Sequence, residues 1–318
     1  MNRHATPTPA IRAKFSDPDV TATGETRAQV PLTGLETLWF NTGTLCNIEC
    51  LRCYIESSPS NDRLVYLTAE EVTRYLDEAR EMGAPLREVG FTGGEPFLNP
   101  QMIAMTEAAL AAGHECLILT NAMRPMMRKR VQAGLVDLIA RYGGKLTLRV
   151  SLDHHMPAHH DEERGAGSYA ATLAGMRWLR DAGARMAVAG RTIWGETDAD
   201  ARAGYAALFA REGIAIDAHD RTMTVLFPEM SESAEPPEIT SACWGILGKS
   251  PESVMCSNAR MVVKRKGAER PSVAACTLLP YAEGFDLGET LTQASRPVKL
   301  NHRFCATFCV LGGASCSG

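Results

Sequence analysis

From Leu35 to Met230 the sequence runs strand, loop, helix, five or six times in succession. "LETLWFNT" (35–42) has the β-branched and aromatic content of a strand. "LTAEEVTRYLDEAREMG" (67–83) reads as a helix, with Thr68 suited to the N-cap, Glu71 three residues on, and Gly83 as its stop. "LREVGFTGGEP" (86–96) is a short strand ending in a Gly-rich turn. The pattern continues as helix "NPQMIAMTEAALAAG", strand "HECLILTNA", helix "MRKRVQAGLVDLIARYGG", and strand "KLTLRVSLDHH" (145–155). A loop, helix "SYAATLAGMRWLRDAG", strand "ARMAVAGRTIW", helix "DADARAGYAALFAREG" and strand "TMTVLFPEM" complete it. Successive parallel strands need a crossover between them, and helices supply it here. The expected fold is therefore α/β, a partial (β/α)6 TIM-type barrel with its helices outside.

Near "SESAEPPEI" (231–239) the alternation breaks into an acidic, Pro-containing linker. Beyond it come short strands such as "ARMVVKR" and "SVAACTLL", few long helices and six of the ten cysteines. That composition implies a small cysteine-rich α+β domain organised by metal rather than by a large core. The expected division is a polar, flexible leader over 1–34, the barrel over 35–230 and the cysteine-rich domain over 231–318. A hydrophobic share of 45% is ample for a core, and a net charge of −4 without any basic run argues against a nucleic-acid partner. No apolar stretch reaches the ~18 residues of a membrane span. The N-terminus lacks the apolar core of a signal peptide, so a cytoplasmic protein is expected.

In a reducing cytoplasm, ten cysteines point to metal binding or catalysis rather than disulfides. Cys46, Cys50 and Cys53, in "TGTLCNIECLRCYIESSP" (42–59), are too close to staple a fold and one short of a closed four-ligand set. Structural zinc prefers paired C-x2-C knuckles, whereas a C-x3-C-x2-C triplet after a strand suits three corners of a [4Fe–4S] cube with the fourth iron open. A zinc site completed by a distant ligand is the alternative. Cys116, in an apolar strand, reads as a core residue.

The triplet resembles the C-x3-C-x-(aromatic)-C signature of the radical S-adenosylmethionine (SAM) enzymes, and other landmarks follow in order at strand ends. "GFTGGEP" (90–96) resembles that superfamily's GGEP motif, "LTNA" (119–122) its third-strand ending, and "RVSLDHH" (149–155) its fourth. The resemblance implies a [4Fe–4S] cluster on Cys46, Cys50 and Cys53, with SAM bound against Gly93, Gly94, Glu95, Pro96, Asn121 and Ser151. In that role the glycines let backbone approach the ligand, Glu95 accepts from the SAM ammonium, and Pro96 stiffens the turn. The residue before the third cysteine is Arg52 where the family has an aromatic, which makes Tyr54 the candidate replacement for the adenine contact. "GRTIWGE" (190–196) matches the fifth-strand motif only loosely, at Ile193 and Gly195. Asp153 and His154, just past the fourth strand, are the candidate substrate-contacting or catalytic groups. The four histidines and four acids of "DHHMPAHHDEERG" (153–165) read otherwise as a solvated loop, with a second metal site as the alternative. Glu229 is a further candidate for the pocket.

The C-terminal cysteines, Cys243, Cys256, Cys276, Cys305, Cys309 and Cys316, resemble the twitch or SPASM extension of the same superfamily. The resemblance implies an auxiliary [4Fe–4S] cluster held by Cys243, Cys256, Cys276 and one of the last three, with two thiols left over; zinc is the alternative. His302 reads as a surface residue. The implied activity is reductive cleavage of SAM to a 5′-deoxyadenosyl radical that takes hydrogen from a substrate. The cofactors carry that step. Implied partners are SAM, a peptide or small-molecule substrate, and an electron donor such as a flavodoxin or ferredoxin. A peptide maturase, a small-molecule enzyme and a non-catalytic iron–sulfur or zinc protein remain distinct possibilities.

Overall fold

A computed structural model describes residues 13–228 and 235–313; Glu229 and Cys316 lie outside them. The chain begins with β1 (Gln29–Val30) and β2 (Thr37–Asn41), then α1 (Ala69–Glu81), β3 (Glu88–Thr92), α2 (Met102–Ala111) and β4 (Glu115–Thr120). It continues through α3 (Lys129–Tyr142), β5 (Leu146–Ser151), α4 (Pro157–Arg164), α5 (Ser168–Asp181), β6 (Arg185–Arg191), α6 (Asp198–Glu212) and β7 (Thr224–Phe227). The C-terminal part contributes α7 (Cys243–Leu247), β8 (Ala259–Val263), β9 (Ser272–Ala274), β10 (Val298–Lys299) and a π-helical turn, Cys305–Leu311.

Strands β2 to β7 form consecutive parallel neighbours, the expected barrel. Their order is β7-β6-β5-β4-β3-β2, and the sheet then runs on into β8 and β9. β2 is buried along its whole length, as a parallel strand covered on both faces should be. Phe40 faces the helices, edge-on to Tyr75 of α1 and stacked on Phe91, while its neighbour Trp39 points into the barrel. The start of α1 follows the sequence closely: Thr68 accepts from Glu71 N–H, and the Glu71 carboxylate returns a bond to Thr68 N–H.

Three features depart from the sequence-based picture. First, β8 pairs in parallel with β2, Thr37 opposite Ala259, so the cysteine-rich segment extends the barrel's own sheet and shares its hydrophobic core. Second, the leader is not loose from residue 13 onward: β1 pairs antiparallel with β10, Val30 is fully buried, and Arg27 is buried against Glu238 at 2.5 Å. Third, "PAHHDEER" forms helix α4 instead of a loop. Pro157 is pre-set for a first helical position, and this short helix buries His160 and Glu163.

Candidate active site

One cavity opens at the C-terminal ends of the barrel strands. Cys46, Cys50 and Cys53 line it, together with Tyr54, Gly93, Gly94, Asn121, Ser151 and Asp153. Seven of the sequence-predicted residues outside the cysteine triplet were assigned to SAM, and five of them, Tyr54, Gly93, Gly94, Asn121 and Ser151, share this wall. Ser151 and Asp153 face it because alternate residues of a strand share a side, and Arg149 completes that row. By the same alternation His154 faces away, and Ile193 and Gly195 are also outside the lining. His154 is instead buried against Glu196, with Nε2 and Oε1 2.9 Å apart.

The "TGGEP" turn shapes the site by a route the sequence did not reveal. A Cβ on Gly94 would sit 2.1 Å from the Leu45 carbonyl oxygen, and one on Gly93 would sit 2.5 Å from that of Gly43. Gly94 N–H donates to Gly43 O at 2.8 Å, and Glu95 N–H to Leu45 O at 3.1 Å. The glycines therefore admit the cysteine loop itself, and hold Cys46 against the strand ends. Gly93 also sits at φ +146°, which L side chains rarely adopt.

Glu95 and Pro96 do not line the cavity. Glu95 is buried, and its carboxylate accepts from Asn121 N–H (2.8 Å), Thr120 Oγ1–H (2.9 Å) and Phe97 N–H (3.2 Å). Burial pushes it up to about 7 despite those bonds. It thus fixes the β4 end rather than presenting a free acceptor. Asn121 completes the link, since its Nδ2 donates to Asn47 Oδ1 at 3.0 Å inside the cysteine loop.

Helix α4, missed from sequence, grips the same loop from the other side. Leu51 N–H donates to Glu163 O at 2.8 Å, and the Arg52 guanidinium pairs with the buried Glu163 carboxylate. Arg191 Nη2 donates to Arg52 O at 2.8 Å. Arg52 is thus anchored away from the cavity, and Tyr54 supplies the aromatic surface, with the Arg191 guanidinium 5.0 Å from its ring centre.

Asp153 is clamped by Arg164, at 2.7 and 3.1 Å, and by Arg191, at 3.3 Å. Burial alone would raise its carboxyl, but the two guanidinium groups outweigh it and hold it below the usual range. The arginine set Arg149, Arg164 and Arg191 was not anticipated. Arg149 and Arg191 are buried on strands, which is the signal that was available, because a charged residue in an apolar barrel strand asks for a partner.

The histidine cluster is not solvated as expected. His154 stacks on His155 with ring centres 4.1 Å apart, and His159 stacks on Trp194. His154, His155 and Glu196 bring ligand atoms within 4.8 Å of one another. However, Met156 N–H donates to His154 Nδ1, which leaves the proton of the neutral ring on Nε2, facing Glu196. Stacked imidazoles also carry their lone pairs side by side rather than converging. The cluster is a ring stack in which His154 is fixed by Glu196 and by Met156 N–H.

The remaining wall comes from the C-terminal segment. Thr277 and Leu278 adjoin Cys276, and Phe308 lies between Cys305 and Cys309 on the π-helical turn. Cys256 and Cys305 are buried, and Cys243, Cys276 and Cys309 are half-buried. Burial pushes Cys305 well up, and Cys276 and Cys256 are close enough to push it further. Sulfur acceptors are served by Leu278 N–H at Cys276 (3.3 Å) and Thr240 N–H at Cys243 (3.4 Å). His302 is half-buried rather than on the surface, its Nδ1 accepting from Phe304 N–H.

The Radical SAM superfamily model matches residues 40–203, just over half of the chain. The chain belongs to the radical SAM superfamily. Among curated proteins, it is 29% identical over 171 residues to the antilisterial bacteriocin subtilosin biosynthesis protein AlbA of Bacillus subtilis, covering 54% of this chain and 35% of AlbA. It is 26% identical over 139 residues to the AdoMet-dependent heme synthase of Oleidesulfovibrio alaskensis, covering 43% and 33%. The matched region thus spans about a third of either relative. In fold, it is similar to Streptococcus suis SuiB bound to S-adenosylmethionine (TM-score 0.57, 12% identity, 81% of this chain and 63% of SuiB). It is also similar to anSMEcpe with bound AdoMet (TM-score 0.57, 14% identity, 82% and 77%).

Radical SAM membership implies a [4Fe–4S] cluster and SAM, and the residues present fit both. Burial pushes the Cys46 thiol up to about 12 and raises Cys50. Thiols in such a place become thiolates by binding a metal, not by themselves. Ser57 N–H donates to Cys53 Sγ at 3.3 Å, the kind of bond that tunes an iron–sulfur cluster.

Proposed function

We propose that this chain reductively cleaves SAM on a [4Fe–4S] cluster held by Cys46, Cys50 and Cys53, and abstracts hydrogen from a peptide substrate. The observation that carries the reading is the shared cavity, where the triplet faces the strand-end residues on one side and the C-terminal cysteine segment on the other. When bound, the cluster supplies the electron that breaks SAM's C–S bond, giving the 5′-deoxyadenosyl radical.

The protein's part is to place the reactants and exclude water. Tyr54 offers the flat surface for adenine, while the Asn121 amide and Ser151 hydroxyl offer polar contacts at the strand ends. Arg164 and Arg191 share the one Asp153 carboxylate, so positive charge is left over to meet a carboxylate of SAM or substrate. Asp153 holds those arginines in place. Glu95 acts through Asn121 and the cysteine loop. Phe227, Phe308 and Leu278 make an apolar wall that keeps stray proton and hydrogen donors away. A flavodoxin- or ferredoxin-type donor would supply the electron.

For the C-terminal segment the reading is an auxiliary [4Fe–4S] cluster on Cys243, Cys256, Cys276 and Cys305. Cys305 is taken from the late cysteines because Cys276 and Cys256 both act on its thiol. Cys309 is half-buried next to the cavity-lining Phe308.

A peptide substrate is supported by the similarity to AlbA, a bacteriocin biosynthesis protein, and by the fold shared with SuiB bound to the precursor peptide SuiA and with anSMEcpe bound to the Kp18Cys peptide. The similarity to a heme synthase favours a second reading, a small-molecule substrate. Reconstituted protein given deuterated peptides encoded beside its gene distinguishes the two. Deuterium appearing in 5′-deoxyadenosine supports the peptide reading; its absence, with transfer from a tetrapyrrole or other metabolite instead, overturns it.

A further inference from the structure

Arg260 on β8 is one of the largest fully buried side chains, 1% exposed. Its guanidinium is surrounded by carbonyl oxygens: Nη1 donates to Cys256 O (2.6 Å) and Ala259 O (2.8 Å), Nε to Ala294 O (2.8 Å), and Nη2 to Arg296 O (3.3 Å). Among the described residues no carboxylate lies within ion-pair distance of it. Three other buried arginines do have one: Arg27 has Glu238, Arg191 has Asp153, and Arg202 has Asp198.

Arginine stays protonated in proteins, so a full positive charge is held here without an acid. Carbonyl dipoles solvate it in part, yet an unpaired buried charge is costly. Burial works against that charge, and Cys256, whose carbonyl the guanidinium holds, is the neighbouring ionisable residue that favours it. A neutral thiol offsets nothing, whereas thiolates gathered round a cluster carry net negative charge, and more of it once the cluster is reduced. We infer that Arg260 is the built-in countercharge of the C-terminal cysteine site, present to stabilise an anionic metal cluster and to raise its reduction potential. Net charge and nearby dipoles are the levers by which a protein sets such potentials. The inference rests on the auxiliary-cluster reading above. Arg260 is a positioning and tuning residue, and touches no substrate.

The same hydrogen bonds tie the Cys256 turn to residues 294–296, so a purely structural staple is the competing role. An EPR-monitored redox titration of the full reconstituted chain separates the two, applied to wild type, Arg260→Gln and Arg260→Lys. Arg260→Gln keeps donors but loses the charge. It is expected to move the potential of the C-terminal cluster in the negative direction, leaving that of the Cys46 cluster unchanged. Arg260→Lys keeps the charge and is expected to stay at the wild-type value. An unchanged potential in Arg260→Gln, or an equal shift in Arg260→Lys, overturns the inference. Should Arg260→Gln not fold, a negative shift in Arg260→Lys alone would still contradict it. Iron content separates this from failure of the underlying reading: wild type holding iron for one cluster removes the auxiliary cluster itself, while two clusters with charge-independent potentials remove only the role of Arg260.

Discussion

The two cysteine regions are assembled in opposite ways. Cys46, Cys50 and Cys53 lie on one short loop, and the fold's work is to brace it, with the Gly93–Gly94 turn on one side and α4 on the other. Cys243, Cys256, Cys276 and Cys305 are scattered over more than sixty residues, and the site proposed for them draws on α7, the β8–β9 hairpin and the π-helical turn. Their charges differ as well. Beside the first region Arg164 and Arg191 share Asp153, while beside the second Arg260 has no acid among the described residues. A contiguous site can be recognised from spacing and is held by its braces; a dispersed site depends on the tertiary fold.

The sharpest way to break this comparison is to remove ligands from each side. Cys46→Ala, Cys50→Ala or Cys53→Ala is expected to abolish SAM cleavage, whereas Cys276→Ala should spare part of it, as 5′-deoxyadenosine release would show. Equal and complete loss in both sets, with the fold intact by circular dichroism, would contradict the division of labour.

Bracing is tested next. Gly94→Ala places a methyl group 2.1 Å from Leu45 O, and neither backbone segment can yield without moving Cys46. Overpacking of this kind costs ~1–3 kcal/mol. Thermal unfolding should register it, and iron should be lost from the first site while the C-terminal site keeps its own.

A loss of similar size is expected at the other brace. Arg52→Ala leaves Glu163 buried without its partner, and breaking a buried pair costs ~3–5 kcal/mol. Because the Arg52 side chain is 35% exposed, solvent should reduce this to ~1–3 kcal/mol. Adding Glu163→Gln should recover some of the loss. A double variant no better than the single one would show that the pair does not couple.

The mildest test is by pH on the metal-free chain. Burial pulls His154 and His160 down from 6.5 to about 4. The unfolded chain takes up those protons first, so stability is lost as pH falls from 6.5 to 4. Asp153 is held below its usual 3.8, so its contribution is present above that value and is lost on going lower. His160→Asn should flatten the first limb of a melting-temperature profile and leave the second. Glu95, raised to about 7, acts with the opposite sign in this window, so the test is the difference: a His160→Asn profile parallel to wild type between 6.5 and 4 would contradict the burial of that ring.

Most of the barrel was legible because period-two and helical patterns alternate cleanly in it, and because the Thr68–Glu71 cap and the Gly83 stop mark boundaries. Helix α4 was not, since "PAHHDEER" has no apolar stripe; it is held by Pro157 and by the burial of His160 and Glu163. Nor could the sequence show that β8 would join β2, because strand order at a sheet edge is a tertiary choice. In the site, the motifs located the cavity-lining Gly93, Gly94, Asn121 and Ser151, but local spacing does not say which way a side chain points. His154 therefore proved to face away, and Glu95 to brace the cavity from outside, while Arg149, Arg164 and Arg191, set by strand alternation and by α4, proved to line it.

The most direct measurement is anaerobic. The full chain is reconstituted with iron and sulfide, given SAM with and without dithionite, and assayed for 5′-deoxyadenosine by mass spectrometry. Release that depends on the reductant and disappears in Cys50→Ala is the expected result. A cluster that assembles on the triplet yet releases none, even with candidate substrates present, would contradict the assignment of this cavity to SAM cleavage.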